Sequence, residues 1–220
     1  QILMTTDIKD TQSVNDSQGV NDSEAQLHKE KMQLQKKKVD ASIKAADIER
    51  GVAILMTGNG KGKTSSAFGM VFRALGYGQK VGVVQFIKGK QESGEINFLQ
   101  DHCPNAEVFQ MGTGFTWNTQ DKAADIHASE ETWKRAARML ADDSIDLVIL
   151  DELTYMIGYK YLDRDMICAA IKNRPVEQSV VVTGRGGGSE LRAVMDTVSD
   201  VKNIKHAYKS GIKARRGVDC

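Results

Sequence analysis

The sequence predicts an α/β fold in three layers, with a central, mostly parallel sheet and a helical extension at the N-terminus. Three observations predict it. Val52 to Ser66, VAILMTGNGKGKTSS, reads as a buried strand, a glycine-rich turn and the start of a helix. The apolar runs VAILM, LVIL and VVVT do not alternate with polar residues, as in strands covered on both faces. From Val52 onward such strands take turns with helical patterns, which calls for crossover connections and parallel pairing. Together they specify a P-loop NTPase (RecA-like) fold, with ligands at the carboxyl ends of the strands.

Composition sets the outer bounds. The 220 residues suit one domain plus an appendage. Thirty basic against 29 acidic residues leave a net charge of +1, without the basic bias of a nucleic-acid binder. No apolar run approaches a membrane span and the first residues lack the apolar core of a signal peptide, so a cytoplasmic protein is expected. Cys103, Cys168 and Cys220 are odd in number and widely spaced, which argues for reduced thiols rather than a disulfide framework or a zinc site.

Residues 1–23 are polar, carry the near-repeat VNDS at Val14–Ser17 and Val20–Ser23, and are expected to be a disordered tail, with Met4 as the natural start. Ser23-Glu24-Ala25-Gln26 has the form of a capping box, and residues 24–50 are expected to form a helix. Its apolar stripe of Met32, Val39, Ile43 and Ala46 is thin, which suits docking on a surface or a partner subunit. A loosely packed solvated helix suits it equally.

Residues 51–220 form the main domain. After the glycine-rich turn come a helix over Thr64–Leu75 and a strand over Lys80–Ile87. Strands at Ala106–Met111, Leu147–Leu150 and Ser179–Thr183 then alternate with helices at Asp121–Leu140 and Asp163–Asn173, and a short final strand is expected near Ile204–Tyr208.

The turn Gly58-Asn59-Gly60-Lys61-Gly62-Lys63-Thr64-Ser65 reads as a phosphate-binding loop. Its glycines let backbone N–H groups approach polyphosphate oxygens, the helix start adds its positive dipole end, Lys63 supplies a cation and Thr64 a hydroxyl for Mg²⁺. Thr57 stands where the usual pattern has its first glycine. Leu147–Leu150 then delivers Asp151 and Glu152 to the same sheet edge, the shape of a Walker B strand whose carboxylates serve Mg²⁺. Thr183-Gly184-Arg185-Gly186 ends another strand there, with Arg185 available to phosphate or base. Phe115 and Trp117, on the glycine-flanked loop after Met111, either close over a flat apolar ligand or anchor that loop in the core. Asp125-Ile126-His127 is similar to the opening of the D-x-H-x-x-G cobalamin signature, but Glu130 replaces the glycine and helical spacing surrounds it, so His127 is expected at the surface.

TGNGKGKT (57–64), FGMVFRALGYGQKVGVVQFIKG (68–89), GFTWNTQ (114–120), LDELTYM (150–156), TGRG (183–186) and HAYKSGIKARRGVD (206–219) together resemble the ATP:corrinoid adenosyltransferases of the CobA/BtuR type, the cob(I)yrinic acid a,c-diamide adenosyltransferases. The resemblance covers about residues 27–220. It implies attack of a Co(I) corrinoid on C5′ of ATP with loss of triphosphate, in an enzyme that works as a homodimer with a reducing flavoprotein. It further implies that Asn59–Thr64 hold the triphosphate in a reversed sense, that Arg73 lies near the nucleotide, and that Thr64 and Glu152 serve Mg²⁺ with Asp151 beside them. Phe115 and Trp117 then pack beneath the corrin ring with Asn118 continuing their loop, and the N-terminal helix caps the active site. The relatives continue TGRG with Cys-His-Arg-Asp, whereas Gly187-Gly188-Ser189-Glu190 stands here, so no role is carried beyond Arg185.

Overall fold

The computed structural model describes residues 12–87, 93–111 and 122–218, with side chains from residue 25 onward. The chain divides into two units, Gln1–Glu49 and Arg50–Cys220.

In the first unit one helix, α1, runs over Gln12–Ala45. Of the residues expected to be a disordered tail, those from Gln12 onward are helical instead, and the Ser23 capping box is not the helix start. No proline and only Gly19 interrupt this stretch, so Ser23 and its neighbours are carried as ordinary helical residues despite their middling propensity. The helix also ends at Ala45, short of Arg50, which belongs to the second unit and pairs there with Asp196.

The second unit is a single parallel sheet with helices on both faces. Its strands are β1 (Ala53–Thr57), β2 (Val81–Gln85), β3 (Ala106–Gln110), β4 (Leu147–Asp151), β5 (Ser179–Thr183) and β6 (Thr197–Asp200). The order across the sheet is β3-β2-β4-β5-β1-β6, and every pairing is parallel. Its helices are α2 (Lys63–Gly76), α3 (Gly94–His102), α4 (Lys122–Ala141), α5 (Leu153–Gly158), α6 (Arg164–Lys172) and α7 (Gly188–Ala193).

The unbroken apolar runs are explained by where alternate residues go. Val84, Val148, Leu150, Val180 and Val182 face one core with Trp133, Met139, Ile167 and Ile171 from α4 and α6. Val81, Val83, Ile149 and Val181 face the other, with Ala67, Phe68 and Val71 of α2 and Ile96 and Leu99 of α3. Both faces of each central strand are therefore buried, and no polar residue is tolerated until the strand ends.

The last strand differs from expectation. It lies at residues 197–200, and Ala207–Ser210 forms a 3-10 turn where a strand over 204–208 was expected. Ile204 and Tyr208 are exposed, so no sheet face was there to receive them. Among the described residues, no helix is long and apolar enough to cross a membrane.

Candidate functional site

Every strand of a parallel sheet delivers its last residue to one edge, and here that edge is polar. β1 ends at Thr57, buried, its hydroxyl donating to Gly186 O at 2.9 Å. The turn that follows needs its glycines. Gly58 (φ +101°) and Gly60 lie so close to the backbone of residues 200–202 that any Cβ would collide, and Gly60 N donates to Val201 O at 2.6 Å. Gly62, in the left-handed region, then opens α2.

Asn59, Gly60, Lys61, Gly62, Lys63, Thr64 and Ser65 line a cavity of about 730 Å³, which Glu152 and Arg185 reach from the opposite strands. Lys63 is buried, and its ammonium donates to Gly60 O at 2.8 Å. Burial pulls its pKa below the ordinary value, against the attraction of Glu152 and Asp151. A cation held dry at the mouth of a helix N-terminus is poised for an anion that can repay its lost hydration.

Asp151 and Glu152 are neighbours in sequence with different tasks. Asp151, 2% exposed, does not line the cavity. Its Oδ1 accepts from Thr64 at 3.0 Å and from Thr183 at 2.6 Å, and its Oδ2 accepts from Gln85 at 3.0 Å. Burial raises its pKa and these three donors act against the rise. Glu152 has φ 59°, a left-handed conformation that is costly for a residue with a Cβ. The turn is held by Glu152 N donating to Thr183 Oγ1 at 2.9 Å. Burial, and next the Asp151 charge, push the Glu152 carboxyl up to about 7, with Lys63 and Arg185 pulling it back. Its Oε2 is buried without a hydrogen-bond partner among the described residues.

That orphaned oxygen tests the expected cation. Glu152 Oε2 and the Thr64 hydroxyl are hard oxygen donors, and among the described residues no cluster of three His, Cys, Asp or Glu side chains competes as a metal cage. Mg²⁺ is held in just this way, through one or two protein oxygens with substrate phosphates completing the shell. The residues present fit it.

The matching family model, over residues 49–220, is ATP:corrinoid adenosyltransferase BtuR/CobO/CobP. The chain belongs to this adenosyltransferase family. It is 49% identical over 192 residues to the corrinoid adenosyltransferase of Escherichia coli, covering 87% of this chain and 97% of that one. It is 50% identical over 194 residues to that of Pseudomonas aeruginosa, covering 88% and 96%. The corrinoid adenosyltransferase CobA of Salmonella typhimurium is 47% identical over 192 residues, covering 87% and 97%.

Set beside the positions expected of an adenosyltransferase, the structure gathers the phosphate loop, Arg185, Glu152 and Asp151 at one edge. It does not bring Arg73 to the cavity. Arg73 is exposed in the last turn of α2, ten residues and about 15 Å along the axis from Lys63. Phe115, Trp117 and Asn118 lie outside the described residues. His127 is exposed on α4, as expected. Three residues of the site lie within the quoted blocks but have no role read from them: Gln85 and Thr183 on the Asp151 carboxylate, and Thr154, whose hydroxyl donates to Arg185 O at 2.9 Å. The signal for the first two is a polar residue closing an otherwise apolar strand.

Proposed function

We propose that this protein transfers the 5′-deoxyadenosyl group of ATP to the Co(I) centre of a corrinoid. The cobalt supplies the electron pair of the new bond to C5′, the C5′–O bond of the α-phosphate breaks, and its electrons leave with inorganic triphosphate. The observation that carries this reading is a built polyphosphate grip, with its buried lysine, in a chain about half identical to corrinoid adenosyltransferases along almost their whole length. Because the nucleophile is the substrate itself, the chain needs no side-chain base. Its residues have to hold a polyanionic leaving group that gains one more negative charge as the bond breaks, and fix the sugar carbon.

Loop N–H groups from Asn59 to Thr64, with Lys61 and Lys63, take the triphosphate, and Ser65 and Arg185 flank it. Mg²⁺, when bound, would neutralise charge on the departing triphosphate. Thr64 and Glu152 would hold it, with Asp151 steadying the Thr64 hydroxyl. Phe115, Trp117 and Asn118 are assigned to the corrinoid, with the two rings beneath the macrocycle, whereas Arg73, exposed and away from the cavity, takes no part in the grip. A reducing flavoprotein supplies the electron that makes Co(I), two copies assemble as a homodimer, and the setting is the cytoplasm.

The test is to mix Co(I) cobalamin or cobinamide with MgATP under anaerobic conditions. A light-sensitive organocobalt product and an equal amount of triphosphate are expected. ADP and phosphate in their place would show attack at the terminal phosphorus and end the proposal.

A further inference from the structure

Gln85 and Gln110 belong to no phosphate-loop or Walker pattern, yet they stand in one row with Asp151. Gln110 is in register with Gln85 across β3 and β2, and Gln85 with Asp151 across β2 and β4. Gln110 Nε2 donates to Gln85 Oε1 at 2.7 Å, and Gln85 Nε2 donates to Asp151 Oδ2 at 3.0 Å. The direction of this chain is fixed. A reversed Gln85 amide would set its oxygen against a carboxylate and its NH₂ against another NH₂. Gln85 is 6% exposed, at the wall of the cavity, so little water reaches its amide to relieve the mismatch.

What the row orients is the phosphate loop. Thr64 has a single hydroxyl proton, and it is directed to Asp151 Oδ1. The remaining lone pairs of that oxygen are then free for a cation in the cavity. If Asp151 turned, the Thr64 proton would lose its acceptor and could rotate into the cavity, where it would repel a cation.

We propose that Gln85, its amide turned by Gln110, is a positioning residue for the cation that accompanies the triphosphate. It holds Asp151 in the orientation that takes the Thr64 proton and so leaves Thr64 a pure acceptor toward Mg²⁺. This rests on reading the loop as a magnesium–polyphosphate site, but not on adenosyl transfer. A bland filler between strands would support the sheet without distinguishing a metal-bound ligand from a metal-free one.

The test is calorimetric binding of inorganic tripolyphosphate, with and without Mg²⁺, to the full chain and to Gln85→Met and Gln110→Val. In the parent protein Mg²⁺ is expected to increase affinity. Gln85→Met should lose about tenfold or more of that increase, the effect of one hydrogen bond to a charged group, while metal-free affinity stays within about twofold. Gln110→Val should lose less, since the Gln85 amide is only released to turn. Should Gln85→Met not fold, Gln110→Val on the edge strand β3 decides alone, by whether its metal-dependent increase falls while its metal-free affinity holds. An intact increase in both variants overturns the proposal, as does an equal loss with and without Mg²⁺. No Mg²⁺ effect in the parent overturns it together with the metal reading of the site, whereas a normal Mg²⁺ effect without organocobalt product defeats only the adenosyl-transfer reading.

Discussion

Thr183→Val removes a single oxygen from the point where three strands meet the site. The hydroxyl is fully buried, donates to Asp151 Oδ1 at 2.6 Å and accepts from Glu152 N at 2.9 Å. Valine keeps the shape and the β-branch, so no cavity is created and the loss is that of the hydrogen bonds. Removing a donor from an ionised acceptor costs about 1.5–3 kcal/mol, and the stranded Glu152 N–H adds about 1–3 kcal/mol. With partial relaxation, about 3 kcal/mol of stability should go, or roughly 10 °C in Tm for a unit of this size. Urea unfolding of the parent, Thr183→Val and Thr183→Ser measures it through the shift in midpoint at constant slope. Serine should recover most of the loss. Affinity for Mg²⁺–tripolyphosphate should fall in Thr183→Val alone, since Glu152 is no longer held in its left-handed turn. A loss below about 1 kcal/mol, or serine as damaging as valine, would refute the reasoning, because the hydroxyl would then not be the tie.

Two further outcomes follow from charges at opposite ends of β1. Lys63→Met should leave the protein as stable or more so, since a dehydrated ammonium is replaced by an apolar chain, while tripolyphosphate affinity drops about 100-fold; thermal melts and calorimetry separate the two effects. At the start of β1, Asp196 accepts from Arg50 at 2.5 and 2.8 Å and from Ala53 N at 2.8 Å, which together hold its carboxyl at about 2. A depressed carboxylate stabilises the fold above its unfolded pKa, and that stability is lost as pH falls through the folded value. After allowance for the solvent around both side chains, Asp196→Asn should cost about 1 kcal/mol at pH 7. The gap to the parent in urea midpoint should close between about pH 4 and pH 2. A gap that stayed constant across that window would remove the carboxylate as its cause.

How far the sequence carries depends on what each residue has to satisfy. β5 falls on the residues its apolar run specifies, because a doubly buried strand leaves its mark at every position. β6 leaves none: it is a four-residue edge strand, TVSD, mostly exposed and paired only to β1. The apolar residues that suggested a strand further on, Ile204 and Tyr208, are exposed. α5 and α7 have six residues each, too short for a period to show, and α3 buries only Ile96 and Leu99. The same division runs through the site. The phosphate loop is legible because glycines, lysine and threonine must stand at fixed spacing to meet a polyphosphate. Asp151 and Glu152 are legible as a pair but not as opposites. One is locked behind Thr64 by three donors and the other is turned outward by a positive φ with an oxygen left over. That difference is made by Gln85 and Thr183, which come from strands 66 and 32 residues away from Asp151 in the chain. Nothing local to either residue records the partner, since a polar side chain closing a buried strand looks the same whether it meets water or a carboxylate. The sheet register turns these separate strand ends into one array, and so the division of labour between the two acids is a property of the fold and not of the motif.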